Sequence, residues 1–312
     1  MKAVFLDRET FPNYIDIALP EQIRECIEYP ISTPEEAIER IKDADIVLTN
    51  KSILNAEAIA QAKNLKLVQV MATGTNNVDH QACQQAHVTV QNVEGYSVDS
   101  VPEHTFALLL ALRRNLLSYI SDVKAGKWSD SKHFCFLDYP ITDIAGTTMA
   151  IFGKGTLGTH VAKIAQAFGM KVVFADHKHA ETIRDGYIPF EDAIAVADVI
   201  SLNCPLTSTT QNLISTEEFK QMKPSCLLLN IGRGCLVDEQ ALVAALKNQL
   251  IAGAAFDVSQ TEPMPADSPL NELLDMPNFL LTPHVAWASD DAMRKLVGIA
   301  KAKMTAFIEN LS

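Results

Sequence analysis

The sequence predicts an α/β protein of two domains, each a parallel sheet with helices on both faces. Two observations predict it. Short β-rich runs alternate with helical patterns almost throughout the 312 residues, which describes strand–helix–strand units. A long apolar helix interrupts the alternation near residue 100, so the strands fall into two series.

In the first series, the opening MKAVFLD, DADIVLTN (43–50) and LKLVQVMA (65–72) read as strands, and TVQNV (89–93) as a shorter one. EEAIERIK and NAEAIAQAK carry helical periods before the second and third. From Pro102 to about Ser121 the pattern predicts one long apolar helix. Its proline lies in the first turn, where the missing N–H has no partner to lose. The second series holds TTMAIFG (147–153), MKVVFAD (170–176), ADVISLN (197–203), CLLLNIG (226–232), IAGAAFDV (251–258) and NFLLTPH (278–284). Six strands with intervening helices describe one doubly wound sheet.

Composition narrows the function classes. With 48% apolar and 21% charged residues the chain is globular rather than disordered. Its net charge of -12 argues against nucleic acid as a partner, because phosphate backbones need a basic surface. An anionic small molecule would have to be held by local cations. No apolar stretch approaches the length of a membrane span, and the start has no secretory apolar core, so the expectation is a cytoplasmic protein off the membrane. The six cysteines are scattered, with no CxxC pair and no histidine at zinc-ligand spacing. They read as reduced thiols, and no metal site is expected.

After the strand TTMAIF comes Gly153-Lys154-Gly155-Thr156-Leu157-Gly158, then the helical run HVAKIAQAFG. This is G-x-G-x-x-G between a strand and a helix. The first glycine suits the tight turn, the second lets a pyrophosphate approach the backbone, and the third allows close helix–strand packing. The next strand ends at Asp176, 18 residues beyond Gly158, where an acid that binds a ribose is expected. A dinucleotide site follows. Asp176 repels a 2′-phosphate and so favours NAD over NADP, while the adjacent His177, Lys178 and His179 leave a phosphate-binding role open. The HxH pair at 177 and 179 reads as a solvated turn rather than a metal site.

Three polar residues stand at or just past later strand ends: Arg233, Glu262 and His284. Each alone reads as an ordinary turn arginine, loop glutamate or core histidine. Jointly they suit hydride transfer to a carbonyl, which needs a cation to hold an anionic substrate and polarise its C=O. It also needs an acid/base for the hydroxyl proton and a carboxylate to keep that acid charged.

At this point the chain resembles the D-isomer-specific 2-hydroxyacid dehydrogenases. The likeness covers ATGTNNVD (72–79), YSVDSVPEHTFALLLAL (96–112), FGKGTLG (152–158), NCPLTSTTQNLI (203–214), LLNIGRGCLVDEQAL (228–242), AAFDV (254–258), Glu262-Pro263 and LTPHVAWAS (281–289), in the family's order. KWSDSKHFCFLDYPITDIAG (127–146) and HVAWAS resemble its glycerate dehydrogenase (hydroxypyruvate reductase) branch. The resemblance implies that Arg233 binds the substrate carboxylate and carbonyl, that His284 moves the proton, and that Glu262 pairs with His284 and supports its charged form. It implies that Thr73 and Gly74 grip the carboxylate through backbone N–H groups. Asp257 would lie beside the nicotinamide ribose, and Cys204, Pro205, Thr209 and Ile231 would line the dinucleotide groove.

The same resemblance implies a Rossmann-type coenzyme domain (98–285) inserted into a smaller flavodoxin-like substrate domain (1–97 plus 286–312), with a cleft that closes on substrate. The segment from 101 to about 145 would form a homodimer interface, and Glu103-His104 reads as structural. The expected reaction is reduction of hydroxypyruvate, or of glyoxylate, by NADH. Another D-2-hydroxy acid and a non-catalytic NAD-sensing interaction protein are the alternatives.

Overall fold

The computed structural model of the protein describes residues 1–311. They form two compact units, one of residues 1–97 with 288 onward, the other of residues 98–287.

The first unit is a five-stranded parallel sheet. Its elements are β1 (Lys2–Phe5), β2 (Glu25–Glu28), α1 (Pro34–Arg40), β3 (Ile46–Thr49), α2 (Ala56–Gln61), β4 (Leu67–Val70), α3 (His80–Gln85) and β5 (Thr89–Gln91). The strand order is β2-β1-β3-β4-β5. Central strands β3 (IVLT) and β4 (LVQV) are buried along their whole length, as mainly apolar strands of a doubly covered sheet are. The helix starts are written locally. Thr33 and Glu36 form a capping box ahead of α1, and the Asn55 and Asp79 side chains accept from the third helical N–H of α2 and α3.

Strand β2 went unpredicted. Its sequence, ECIE, places two half-buried residues between exposed glutamates at the sheet edge, too short a pattern to stand out from a loop.

The second unit opens with α4 (Ser100–Arg113) and α5 (Leu116–Lys124). The single helix expected over 102–121 is therefore two. Asn115 sits in the left-handed region at φ 46° and breaks the helical ladder between them. Asparagine tolerates that region better than most residues, so the break leaves no glycine or proline in the sequence.

Then follow β6 (Thr148–Phe152), α6 (Thr156–Ala167), β7 (Lys171–Ala175), α7 (Phe190–Val196), β8 (Val199–Leu202), α8 (Thr216–Gln221), β9 (Leu227–Asn230), α9 (Glu239–Lys247), β10 (Gly253–Phe256) and β11 (Phe279–Leu281). All six predicted strands are present, parallel, in the order β11-β10-β9-β8-β6-β7. Alternate residues face two cores. Ala150 and Phe152 of β6 join one with α7 to α9, and Met149 and Ile151 join the other with α4 and α6.

Helix α10 (Asp290–Glu309) returns to the first unit. The Ser289 side chain caps it, and Lys303 Nζ donates to the Asn92 carbonyl. Among the described residues no helix is long and apolar enough to cross a membrane, and no cluster of three or more His, Cys, Asp or Glu could hold a metal ion.

Candidate active site

The second sheet reverses its winding between β6 and β8, so the crevice beyond the carboxyl ends of those strands is the place for a ligand. The glycine motif lies there, and its three glycines divide the work. A Cβ on Gly153 (φ 107°) would lie 2.7 Å from the Asn203 carbonyl and the Cys204 nitrogen at the end of β8. A Cβ on Gly158 would lie 1.9 Å from the Gly153 oxygen. Both are glycine because backbone packs against backbone.

Gly155 is different. Its φ of -80° is open to any residue, and a Cβ there would meet nothing within 4 Å. The protein's own packing does not require that glycine, whereas a phosphate approaching the backbone would. Gly155 is also the N-cap of α6, and no side chain caps that end, where Thr156 and Leu157 begin the first turn. Uncapped N–H groups and the positive end of the helix dipole suit an anion there. The residues present fit a dinucleotide pyrophosphate.

Asp176 follows β7, as the sequence predicts. Its carboxylate is occupied: Oδ1 accepts from the His177 N–H (2.7 Å) and from Arg184 Nε (2.8 Å), and Oδ2 accepts from the Arg184 N–H (2.8 Å). The Arg184 guanidinium holds the Asp176 carboxyl well below the usual carboxylate range. Of the other residues expected at the groove, Ile231 is buried in the core beside β9. Cys204, Pro205 and Thr209 lie in the loop after β8. There the Thr210 hydroxyl donates to the Pro205 carbonyl (2.7 Å), and the Thr207 and Thr209 hydroxyls pair. Burial pushes the Cys204 thiol up to about 11.

The three catalytic candidates all belong to the second unit. Strand β9 delivers Arg233 through a stapled turn: the buried Asn230 side chain donates to the Arg233 carbonyl (2.9 Å) and accepts from the Gly232 N–H (3.2 Å). Neither Gly232 nor Gly234 has a left-handed φ, so sharp bending is not their purpose. Close approach is. A Cβ on Gly234 would lie 2.0 Å from the Ser259 carbonyl, and one on Gly232 would lie 3.2 Å from the Leu202 oxygen. The Arg233 turn is thus pressed against the loop that carries Glu262.

That loop is itself tethered. The Gln260 N–H donates to Glu239 Oε1 (2.6 Å), and the Ser259 N–H donates to Glu262 Oε1 (3.2 Å). Glu262, whose bond to Pro263 is cis, reaches His284: Oε2 lies 2.7 Å from Nδ1. An ionised carboxylate only accepts, so Nδ1 carries a proton towards Glu262 and Nε2 is the ring nitrogen left to exchange one.

His284 has φ 54°, a strained conformation for a non-glycine residue, and the structure over-determines it. Asp257, expected beside the nicotinamide ribose, does this holding. Its carboxylate, 1% exposed, accepts from the Thr282 hydroxyl (2.6 Å) and from the N–H groups of Val285 (2.9 Å) and Ala286 (2.8 Å). His104 Nε2 contacts the Thr282 hydroxyl at 3.0 Å and lies 3.6 Å from Asp257. The structural reading of His104 from sequence thus has its partners.

In the first unit, Thr73 and Gly74 stand in the loop after β4. The Thr73 hydroxyl donates to the Val93 carbonyl (3.0 Å), and its own carbonyl accepts from the Asn92 side chain (2.8 Å). Sequence reasoning missed Asn230, Glu239 and Thr282, which shape the site from behind, and Arg184. A buried asparagine ending a strand, directly before G-R-G, is the one signal that could have flagged such a staple.

Comparison with known proteins decides the family. Residues 106–286 match the sequence model of the D-isomer specific 2-hydroxyacid dehydrogenase NAD binding domain. A putative 2-hydroxyacid dehydrogenase of Haemophilus influenzae is 46% identical over 100% of this chain and 99% of its own. The chain belongs to the D-isomer-specific 2-hydroxyacid dehydrogenases.

Other members of that family bear narrower names. The glycerate dehydrogenase of Methylorubrum extorquens is 43% identical over 98% of this chain and 96% of its own, and the hydroxypyruvate reductase of Blautia hydrogenotrophica 36% over 99% and 97%. Among solved structures, D-lactate dehydrogenase from Aquifex aeolicus, complexed with NAD and lactic acid, is 25% identical with a TM-score of 0.82, covering 99% of this chain and 96% of its own. An acyclic imino acid reductase in complex with NADPH is 28% identical with a TM-score of 0.83, covering 99% and 98%.

Proposed function

We propose that this member of the family reduces hydroxypyruvate to D-glycerate with NADH, with glyoxylate a second substrate, and that the reaction runs in both directions. The carrying observation is the His284–Glu262 pair at 2.7 Å, with the loop that bears Glu262 packed against the Arg233 turn. The names of the relatives from M. extorquens and B. hydrogenotrophica support the choice of substrate.

The nicotinamide, when bound, supplies the hydride to C2 of the keto acid. The chain's residues do the rest. The Arg233 guanidinium holds the substrate carboxylate and polarises the C2 carbonyl, since its planar donors match both oxygens. His284 Nε2 gives its proton to the carbonyl oxygen as that oxygen becomes the hydroxyl, and Glu262 keeps the ring oriented and balances its positive charge. In oxidation Nε2 takes the proton back.

In this reading residues 98–287 form the coenzyme domain, and residues 1–97 with 288 onward form the substrate domain. Asp176 reads the adenosine ribose, which favours NADH. Two copies of the chain associate through the exposed apolar side chains of α5 and the following segment, among them Leu117, Ile120 and Phe134. The six cysteines are all unpaired, which fits a reducing, cytoplasmic setting.

The test is NADH oxidation with hydroxypyruvate, glyoxylate, pyruvate and bulkier 2-keto acids side by side. The highest kcat/KM is expected for hydroxypyruvate; a higher value for another acid reassigns the substrate.

A further inference from the structure

Asp176 is shielded by a neighbour the glycine motif does not mention. Besides Nε, Arg184 Nη2 lies 2.6 Å from Asp176 Oδ1, so that oxygen has three donors and no room for another. The Asp176 side chain is 1% exposed, whereas that of Arg184 is 47% exposed. The guanidinium therefore covers the acid from the solvent side, and a ribose diol cannot use both carboxylate oxygens while it stays there.

The backbone beneath Arg184 is tied down, while the side chain stands about half exposed above it. Ile188 pairs with the end of β7, and the Asp176 N–H donates to the Ile188 carbonyl, which ties residues 184–188 to the sheet. The guanidinium carbon lies 4.1 Å from the Tyr187 ring centre, and Lys154 of the glycine motif places Nζ 5.0 Å from the same ring. Tyr187 thus offers a ledge over which a cation can slide without losing contact.

Of the cations suggested by sequence, Lys178 is engaged elsewhere. Lys178 pairs with Glu218 at 2.7 Å, and His179, 80% exposed, lies 4.0 Å from Glu191.

We infer that Arg184 is a latch that sets nucleotide choice: it covers Asp176, and swings outward over Tyr187 to pair with a 2′-phosphate on the adenosine ribose. An uncovered Asp176 repels such a phosphate; the Asp176–Arg184 pair is neutral and then supplies the cation. The protein accordingly binds NADPH as well as NADH, with weaker discrimination than a bare aspartate gives. The inference rests on the dinucleotide reading of the glycine motif.

The test is direct binding, by nucleotide fluorescence, of NADH and NADPH to the wild type, Arg184→Ala and Arg184→Lys. In Arg184→Ala the acid is uncovered and the phosphate partner removed, so NADPH weakens and NADH tightens. The ratio of the two Kd values moves towards NADH by at least about tenfold, as expected for one charge-assisted phosphate contact. Arg184→Lys restores part of the NADPH affinity. A smaller change in the ratio, including an equal loss for both nucleotides, overturns the latch. Binding of NADH but not NADPH by the wild type also overturns it while leaving the dinucleotide reading intact. Binding of neither removes both.

Discussion

Among single residues, the candidate chemistry rests on Arg233, Glu262 and His284, and the first two make different predictions. Arg233 is proposed to hold the carboxylate and the carbonyl together. Arg233→Ala is expected to lower kcat/KM for hydroxypyruvate by about 3 kcal/mol, roughly a hundredfold or more, with NADH affinity retained. Steady-state kinetics with a separate NADH titration checks this; an unchanged kcat/KM excludes the role. Glu262 acts through His284, 2.7 Å away, so Glu262→Gln should reduce kcat more than KM and leave the thermal midpoint close to wild type. A loss confined to KM would place Glu262 in binding instead. Gly234→Ala has another cause. Its Cβ would fall 2.0 Å from the Ser259 carbonyl, so the loop bearing Glu262 must move, and both Tm and kcat should drop.

At the element scale, the strands and the glycine motif were legible in the sequence because their signals are local. Continuous apolar runs mark the central strands, and G-x-G-x-x-G between a strand and a helix places the start of α6. Strand β2 and the break at Asn115 were not legible: ECIE has an edge strand's weak pattern, and an asparagine in the left-handed region leaves no mark in a helical period. The candidate site divides in the same way. Arg233, Glu262 and His284 stand in the segments that follow β9, β10 and β11 and are chemically conspicuous, so the sequence alone singles them out. Asn230, Glu239 and Arg184 act through contacts between segments far apart in sequence, which no period or spacing announces. The start of α6 is left uncapped for an anion. Since a Cβ at Gly155 meets nothing within 4 Å, Gly155→Val should fold with nearly unchanged Tm yet lose most of its NADH binding. Equal NADH affinity in the two proteins would remove the pyrophosphate from that helix end.

At the scale of the whole molecule, the same dehydrogenase family embraces relatives called glycerate dehydrogenase, hydroxypyruvate reductase and glyoxylate reductase. A shared fold does not choose among their substrates. Two properties of the intact chain can be checked independently of substrate. The exposed Leu117, Ile120 and Phe134 predict a particle of twice the 34.2 kDa chain mass by light scattering, and Leu117→Asp with Ile120→Asp should shift it to one chain. Burial pushes the thiols of Cys26, Cys83 and Cys204 up to about 11 and that of Cys226 up to about 12. A raised thiol stays protonated below its shifted value, so these four should resist alkylation at pH 8 and gain reactivity only as the pH approaches that range. Mass-resolved alkylation against pH reads this directly.

On the proposed assignment, Arg233, Glu262 and His284 carry the reduction of a 2-keto acid. The most direct test is stoichiometric: hydroxypyruvate and NADH with the purified chain, following NADH loss and the chirality of the product. One D-glycerate is expected for each NADH consumed. Absence of turnover with hydroxypyruvate and with every other 2-keto acid would contradict it.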